Sequence, residues 1–245
     1  VSEAGRTRLA ELGITCVGPD AALPQADVVI LAIPDNAIEK VTARLAPQFK
    51  QGAVLIALDA AAPFAGHLPA REDLTIFVAH PCHPSVFNDE TDLEAKRDYF
   101  GGVKAKQAIV CALLRGDEAN YDLAEDVAKR MYAPVLRSHR ATVDQMAILE
   151  PVLSETVCAT CLTIIREATD EAVRRGVAEE AARDFILGHL NVELAILFDQ
   201  MPGVRMSDAA NKAVDRAKSE IFQPDWKKVF ERDAIAENIR MITTA

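Results

Sequence analysis

Short, continuous apolar runs separated by amphipathic segments constrain this chain more than any other feature. Asp27–Ile33 (D-V-V-I-L-A-I), Ala53–Leu58, Leu74–Ala79 and Ala108–Leu114 are apolar without alternation, and Ile14–Val17 and Val135–His139 are weaker runs of the same kind. Uninterrupted apolar strands are covered on both faces, and helices between them supply the cover. Ser2–Leu12 has helical character and stops at Gly13, while Asn36–Phe49 places Ile38, Val41 and Leu45 on one face and closes at Gly52. The expected architecture is an α/β fold with a parallel sheet.

The pattern changes after His139. From Thr142 to about Ala178 only Pro151 and Gly176 interrupt a helical pattern, which is apolar on most sides from Met146 to Ile165 and so reads as a helix buried all round. Further helices are expected over Ala178–Gln200, Ser207–Phe222 and Asp225–Thr243, with no strand signal. Pro151 implies a kink or a helix start. The domain boundary is expected near Arg140, with 1–140 a Rossmann-type domain and 141–245 an all-helical one.

A net charge of −10 argues against nucleic acid, because phosphate contacts need a basic face. No secretory leader opens the chain, and no uncharged apolar stretch reaches bilayer length. The five cysteines, Cys16, Cys82, Cys111, Cys158 and Cys161, are scattered. Together these features imply a reducing cytoplasm. Cys158 and Cys161 have C-x-x-C spacing but lie in a helical pattern, where packing is the default.

The chemistry concentrates in Ala79-His80-Pro81-Cys82-His83-Pro84, directly after the Leu74–Ala79 run. Ligands bind at the carboxyl ends of strands in open α/β sheets, and the prolines restrict the backbone holding both imidazoles. A stiff loop with solvated histidines is the plain alternative. Imidazoles can ligate a metal or move a proton near neutral pH. Glu150 and Glu155, in an otherwise apolar stretch, need partners and are candidates to complete the site. Cys82 is a weaker candidate as a nucleophile. His139 and His67 read as surface residues. Gly188-His189-Leu190-Asn191-Val192-Glu193 is poorly explained by packing and suggests a substrate or interface role.

The run ending in Ala32-Ile33-Pro34-Asp35 resembles the fourth strand of nicotinamide-dependent dehydrogenases, where the following loop runs along the cofactor. Asp59-Ala60-Ala61 ends the next strand in the same crevice. The sequence holds no G-x-G-x-x-G turn, the usual pyrophosphate cradle. Its first helix corresponds to the one after a second strand. Either a βαβ opening precedes it or the fold has lost its cofactor site, and a start on Val1 without Met favours the former.

Taken together, D-V-V-I-L-A-I-P-D-N-A-I-E-K-V, L-D-A-A-A-P-F-A-G, H-P-C-H-P-S-V-F-N-D-E, A-I-L-E-P-V-L-S-E-T-V and G-H-L-N-V-E resemble the D-apionate oxidoisomerase group. These are relatives of the β-hydroxyacid and 6-phosphogluconate dehydrogenases. The resemblance covers the chain from Ser2 onward and implies NAD-dependent oxidation of a branched sugar acid coupled to migration of a carbon group. It implies a cofactor lined by Ala32, Ile33, Pro34 and Asp35, with Asp59 near the nicotinamide end. It also implies a substrate or metal site of His80, His83 and Glu155 with Glu150 close by. The metal, zinc foremost, would sit on His83 and Glu155. A homodimer paired through the helical domain is expected. A simple β-hydroxyacid dehydrogenase and a cofactor-free binding module are the alternatives, and NAD versus NADP is left open.

Overall fold

The structure is a computed structural model and describes residues 3–244. The chain forms two compact units, Val1–Pro151 with Ile235–Ala245, and Val152–Ala234. The sequence boundary near Arg140 lies before this division.

The first unit is built on a five-stranded sheet in the order β1 (Val28–Leu31), β2 (Val54–Ala57), β3 (Thr75–Pro81), β4 (Gln107–Arg115) and β5 (Val135–Arg140). β1, β2 and β3 are mutually parallel, as expected. β4 runs antiparallel to β3, and β5 runs parallel to β4. The sheet is therefore mixed rather than fully parallel. Apolar composition reports that β4 is buried, but the direction of entry is set by the loop from Cys82 to Lys106.

Alternation along the strands sorts side chains to two faces. Val54, Ile56, Phe77 and Ala79 meet α6 (Ala119–Met131) through Tyr121, Ala124 and Ala128. On the other face Ala57, Val78 and Ala112 pack with Val143 and Met146 of α7 (Val143–Ala147). α1 (Glu3–Glu11), α2 (Pro19–Ala22), α3 (Asp35–Leu45), α4 (Ala61–Phe64) and α5 (Leu93–Lys96) complete the first part of the chain. α3 buries Ile38 against Leu31 and Ala62. Ile14–Val17 forms no strand, since it has no pairing partner among the described residues. Gly13 does end the first helix, at φ +72° with its N–H donated to Ala10. Ser2, placed in that helix by sequence, lies outside the described residues.

After α7 the chain is π-helical over Ile148–Ala159, then α-helical as α8 (Thr160–Arg174). Pro151 lacks an N–H and sits inside the widened turn, so no new helix starts there. The expectation of all-round burial fails: Met146, Ala147 and Val152 are buried, whereas Leu149, Leu153 and Leu162 are exposed. Val143–Arg174 is long and apolar enough to cross a membrane by length and composition, but it is not uncharged: Glu150 and Glu155 lie within its apolar part. The second unit continues with α9 (Glu179–Leu197) and α10 (Asp208–Ile221). The single helix expected over Asp225–Thr243 is a 3-10 turn, Trp226–Phe230, then α11 (Arg232–Thr243), whose Ile235 and Ile239 are buried.

Candidate active site

β2 and β3 are adjacent and parallel, with Ala57 level with Val78. The residues after Ala57 and Val78 therefore emerge together at one sheet edge. Asp59 leaves β2 there. Its Oδ1 accepts the Ala61 N–H at 2.6 Å, which fixes the carboxylate at the start of α4. His80, near the end of β3, lies beside it, with Nδ1 2.7 Å from the Leu58 carbonyl and 3.7 Å from Asp59 Oδ2. A carbonyl only accepts, so Nδ1 carries the hydrogen, and in the neutral form of the ring Nε2 keeps its lone pair.

Glu150, half-buried in the π-helical run, joins these two. Asp59, His80 and Glu150 each bring one ligand atom within 4.8 Å of the others. Two carboxylates and an imidazole nitrogen suit a divalent cation, and the oxygen-rich set admits magnesium, manganese or calcium as readily as zinc. The π turn has a role here: α7 is fixed by its packing on the sheet, so local widening resets the direction of the next side chains.

His83 lies outside this trio. It takes φ +60°, an unusual conformation for a residue that also precedes a proline. Its Nδ1 is 2.9 Å from the Phe100 carbonyl, so Nδ1 carries the hydrogen and Nε2 is the acceptor in the neutral form of the ring. The two imidazoles meet edge to face, with ring centres 6.3 Å apart. Glu155, expected beside His83, is exposed and belongs to the second unit. Cys82 lies between the histidines, and desolvation pushes its thiol pKa up, which opposes the thiolate a nucleophile requires.

The expected cofactor residues occupy the end of β1. Ala32 and Ile33 follow Leu31, Pro34 precedes the first turn of α3, and Asp35 opens it. A carboxylate at that place suits ribose hydroxyls better than phosphate. Beside it, the buried Ala60, Ala61 and Ala62 keep the β2 edge low enough for a flat ring to approach backbone. Both features fit a nicotinamide nucleotide.

Of the remaining histidines, His67 faces Glu39 at 3.9 Å. His139 is exposed on β5. His189 stacks on Phe185 at 4.0 Å in α9 and sets Nδ1 2.8 Å from the Phe185 carbonyl.

Residues 88–243 match the phosphogluconate dehydrogenase (decarboxylating) C-terminal family. A D-apionate oxidoisomerase of Cupriavidus necator is 61% identical over 99% of this chain and 88% of its own length. One from Rhizobium rhizogenes is 57% identical over the same shares. A crystal structure of a semialdehyde dehydrogenase NAD-binding protein from Cupriavidus necator, in complex with calcium and NAD, superposes with a TM-score of 0.96. It shares 61% sequence identity and covers 99% of this chain and 88% of that one. The chain belongs to the D-apionate oxidoisomerase family, a branch of the phosphogluconate dehydrogenase relatives.

Proposed function

We propose that this protein oxidises D-apionate with NAD and rearranges its carbon skeleton in the same site. The observation that carries the reading is the convergence of Asp59, His80 and Glu150 at the carboxyl ends of β2 and β3, beside the β1 edge suited to a nucleotide. When bound, NAD supplies the hydride acceptor and a divalent cation supplies a Lewis acid for the substrate's oxygens.

The chain's own groups divide the remaining work. Ala32, Ile33 and Pro34 form the cofactor's floor, and Asp35 accepts from ribose hydroxyls. Asp59, His80 and Glu150 hold the cation. His83, with Nδ1–H donated to Phe100, presents Nε2 to take the hydroxyl proton as hydride leaves the same carbon. Loss of that hydride and proton oxidises the alcohol to a ketone, and migration of a carbon substituent then yields an isomeric oxo acid.

His83→Ala tests the assignment. Turnover should fall by about a hundredfold or more, in line with losing a general base, while circular dichroism stays unchanged. Wild-type rates would contradict it.

The partner we infer for the second unit is another copy of this chain. Among its described residues only Val152 and Ala182 are buried apolar side chains, while Leu162, Phe185, Leu187, Leu197, Phe198 and Ile221 are exposed. Such a surface fits an obligate interface. The Val143–Arg174 helix carries Glu150, Pro151 and Glu155, which favours that interface over a bilayer. Five free cysteines accord with a reducing cytoplasm.

A further inference from the structure

The loop from Cys82 to Lys106 holds an aspartate that the proposed chemistry does not use. Asp98 turns its Oδ2 inward on its own loop and accepts three backbone N–H groups, from Val103 at 3.1 Å, Lys104 at 2.8 Å and Ala105 at 3.1 Å. Its carbonyl also accepts the Gly101 N–H at 3.2 Å. These bonds close the turn that contains Phe100. The hydrogen bond from Lys104, opposed by desolvation and aided by those from Ala105 and Val103, keeps the carboxyl below its usual range, so it is ionised at neutral pH.

The turn is also fixed from beneath. Gly101 has φ +76°, and a Cβ there would lie 2.5 Å from the Gln107 side chain. Gln107 is buried at the start of β4 and donates Nε2–H to the Tyr132 carbonyl at 2.9 Å. Little slack remains between the turn and the sheet.

Phe100 touches His83 in two ways. Its carbonyl accepts from Nδ1, and its ring meets the imidazole edge to face at 5.8 Å. The side chain of Phe100 is otherwise exposed, so the backbone turn, not core packing, holds it.

We propose that Asp98 is a positioning residue for His83: by closing the 98–105 turn it fixes the Phe100 carbonyl, and that carbonyl selects the imidazole tautomer whose Nε2 accepts a proton. The proposal rests on the reading of His83 as proton acceptor. It extends the site from the strand edge to a carboxylate that touches neither substrate nor cofactor.

Nitrogen NMR of histidine-labelled protein reads the tautomer directly, with His83 assigned by comparison with His83→Gln. The wild type should show Nδ1–H with Nε2 unprotonated. Asp98→Ala should convert His83 to a mixture of tautomers and lower kcat about tenfold or more, with KM little changed, as misplacing a catalytic group does. Asp98→Asn keeps size and one acceptor but loses the charge that strengthens all three bonds. It should shift His83 the same way by less, and it carries the test if the alanine variant does not fold. A wild-type tautomer in folded Asp98→Asn, or an Nε2–H tautomer in the wild type, overturns the proposal. The tautomer is read without turnover, so failure of the base assignment, seen as full activity in His83→Ala, is a separate result.

Discussion

Both histidines of the H-P-C-H-P segment donate Nδ1–H to a backbone carbonyl, and each carbonyl comes from far along the chain. Leu58 precedes His80 by 22 residues, and Phe100 follows His83 by 17. The sequence places two imidazoles at a strand end; it cannot show which nitrogen faces the substrate, because that is decided by these distant oxygens. Asp59 was legible as a residue of the crevice and assigned to the cofactor side. The structure sets it against His80 and Glu150, since β2 and β3 are neighbours in register. Glu150→Gln should keep the fold, because an amide replaces the carboxylate at nearly equal volume. It should weaken divalent-cation binding by at least about tenfold, judged by the losses seen even for outer partners of metal ligands. Titration calorimetry measures this, and unchanged affinity would remove Glu150 from the cation site.

At the level of elements, most strands and helices follow from apolar periodicity, because burial is what that pattern records. Ile14–Val17 shows the limit: a strand needs a neighbour to pair with, and four apolar residues do not supply one. The antiparallel entry of β4 shows another, since composition carries no direction. The π-helical run was visible only as a proline out of place. The helical pattern is legible from Thr142 onward, and there Thr142 and Gln145 form a reciprocal cap on α7, Gln145 N–H to Thr142 Oγ1 at 3.2 Å and Thr142 N–H to Gln145 Oε1 at 2.9 Å. That cap begins the helix that delivers Glu150. Thr142→Ala should cost about 1 kcal/mol of stability, read as a lowered midpoint in urea. No change would mean that packing of Val143 and Met146 alone sets the helix.

For the whole molecule, the two units have opposite characters. The first buries both faces of a sheet. The second has amphipathic helices, and α8 and α10 bury no residue within the chain. The second copy inferred above would bury these faces, and sedimentation velocity at micromolar concentration should give a dimer. A well-folded monomer would contradict that inference. In the sequence the Met146–Ile165 stretch reads as internal burial and the remaining helices as a dimer surface, because periodicity does not distinguish a core from an interface. Oxidation coupled to rearrangement is tested by product analysis. The protein is incubated with D-apionate, NAD and a divalent cation, and the products are followed by carbon NMR alongside NADH absorbance. NADH should form in step with an oxo acid whose carbon skeleton is rearranged, and no reaction should occur once the cation is chelated. NADH accompanied by an unrearranged ketone, or rates indifferent to chelation, would contradict it.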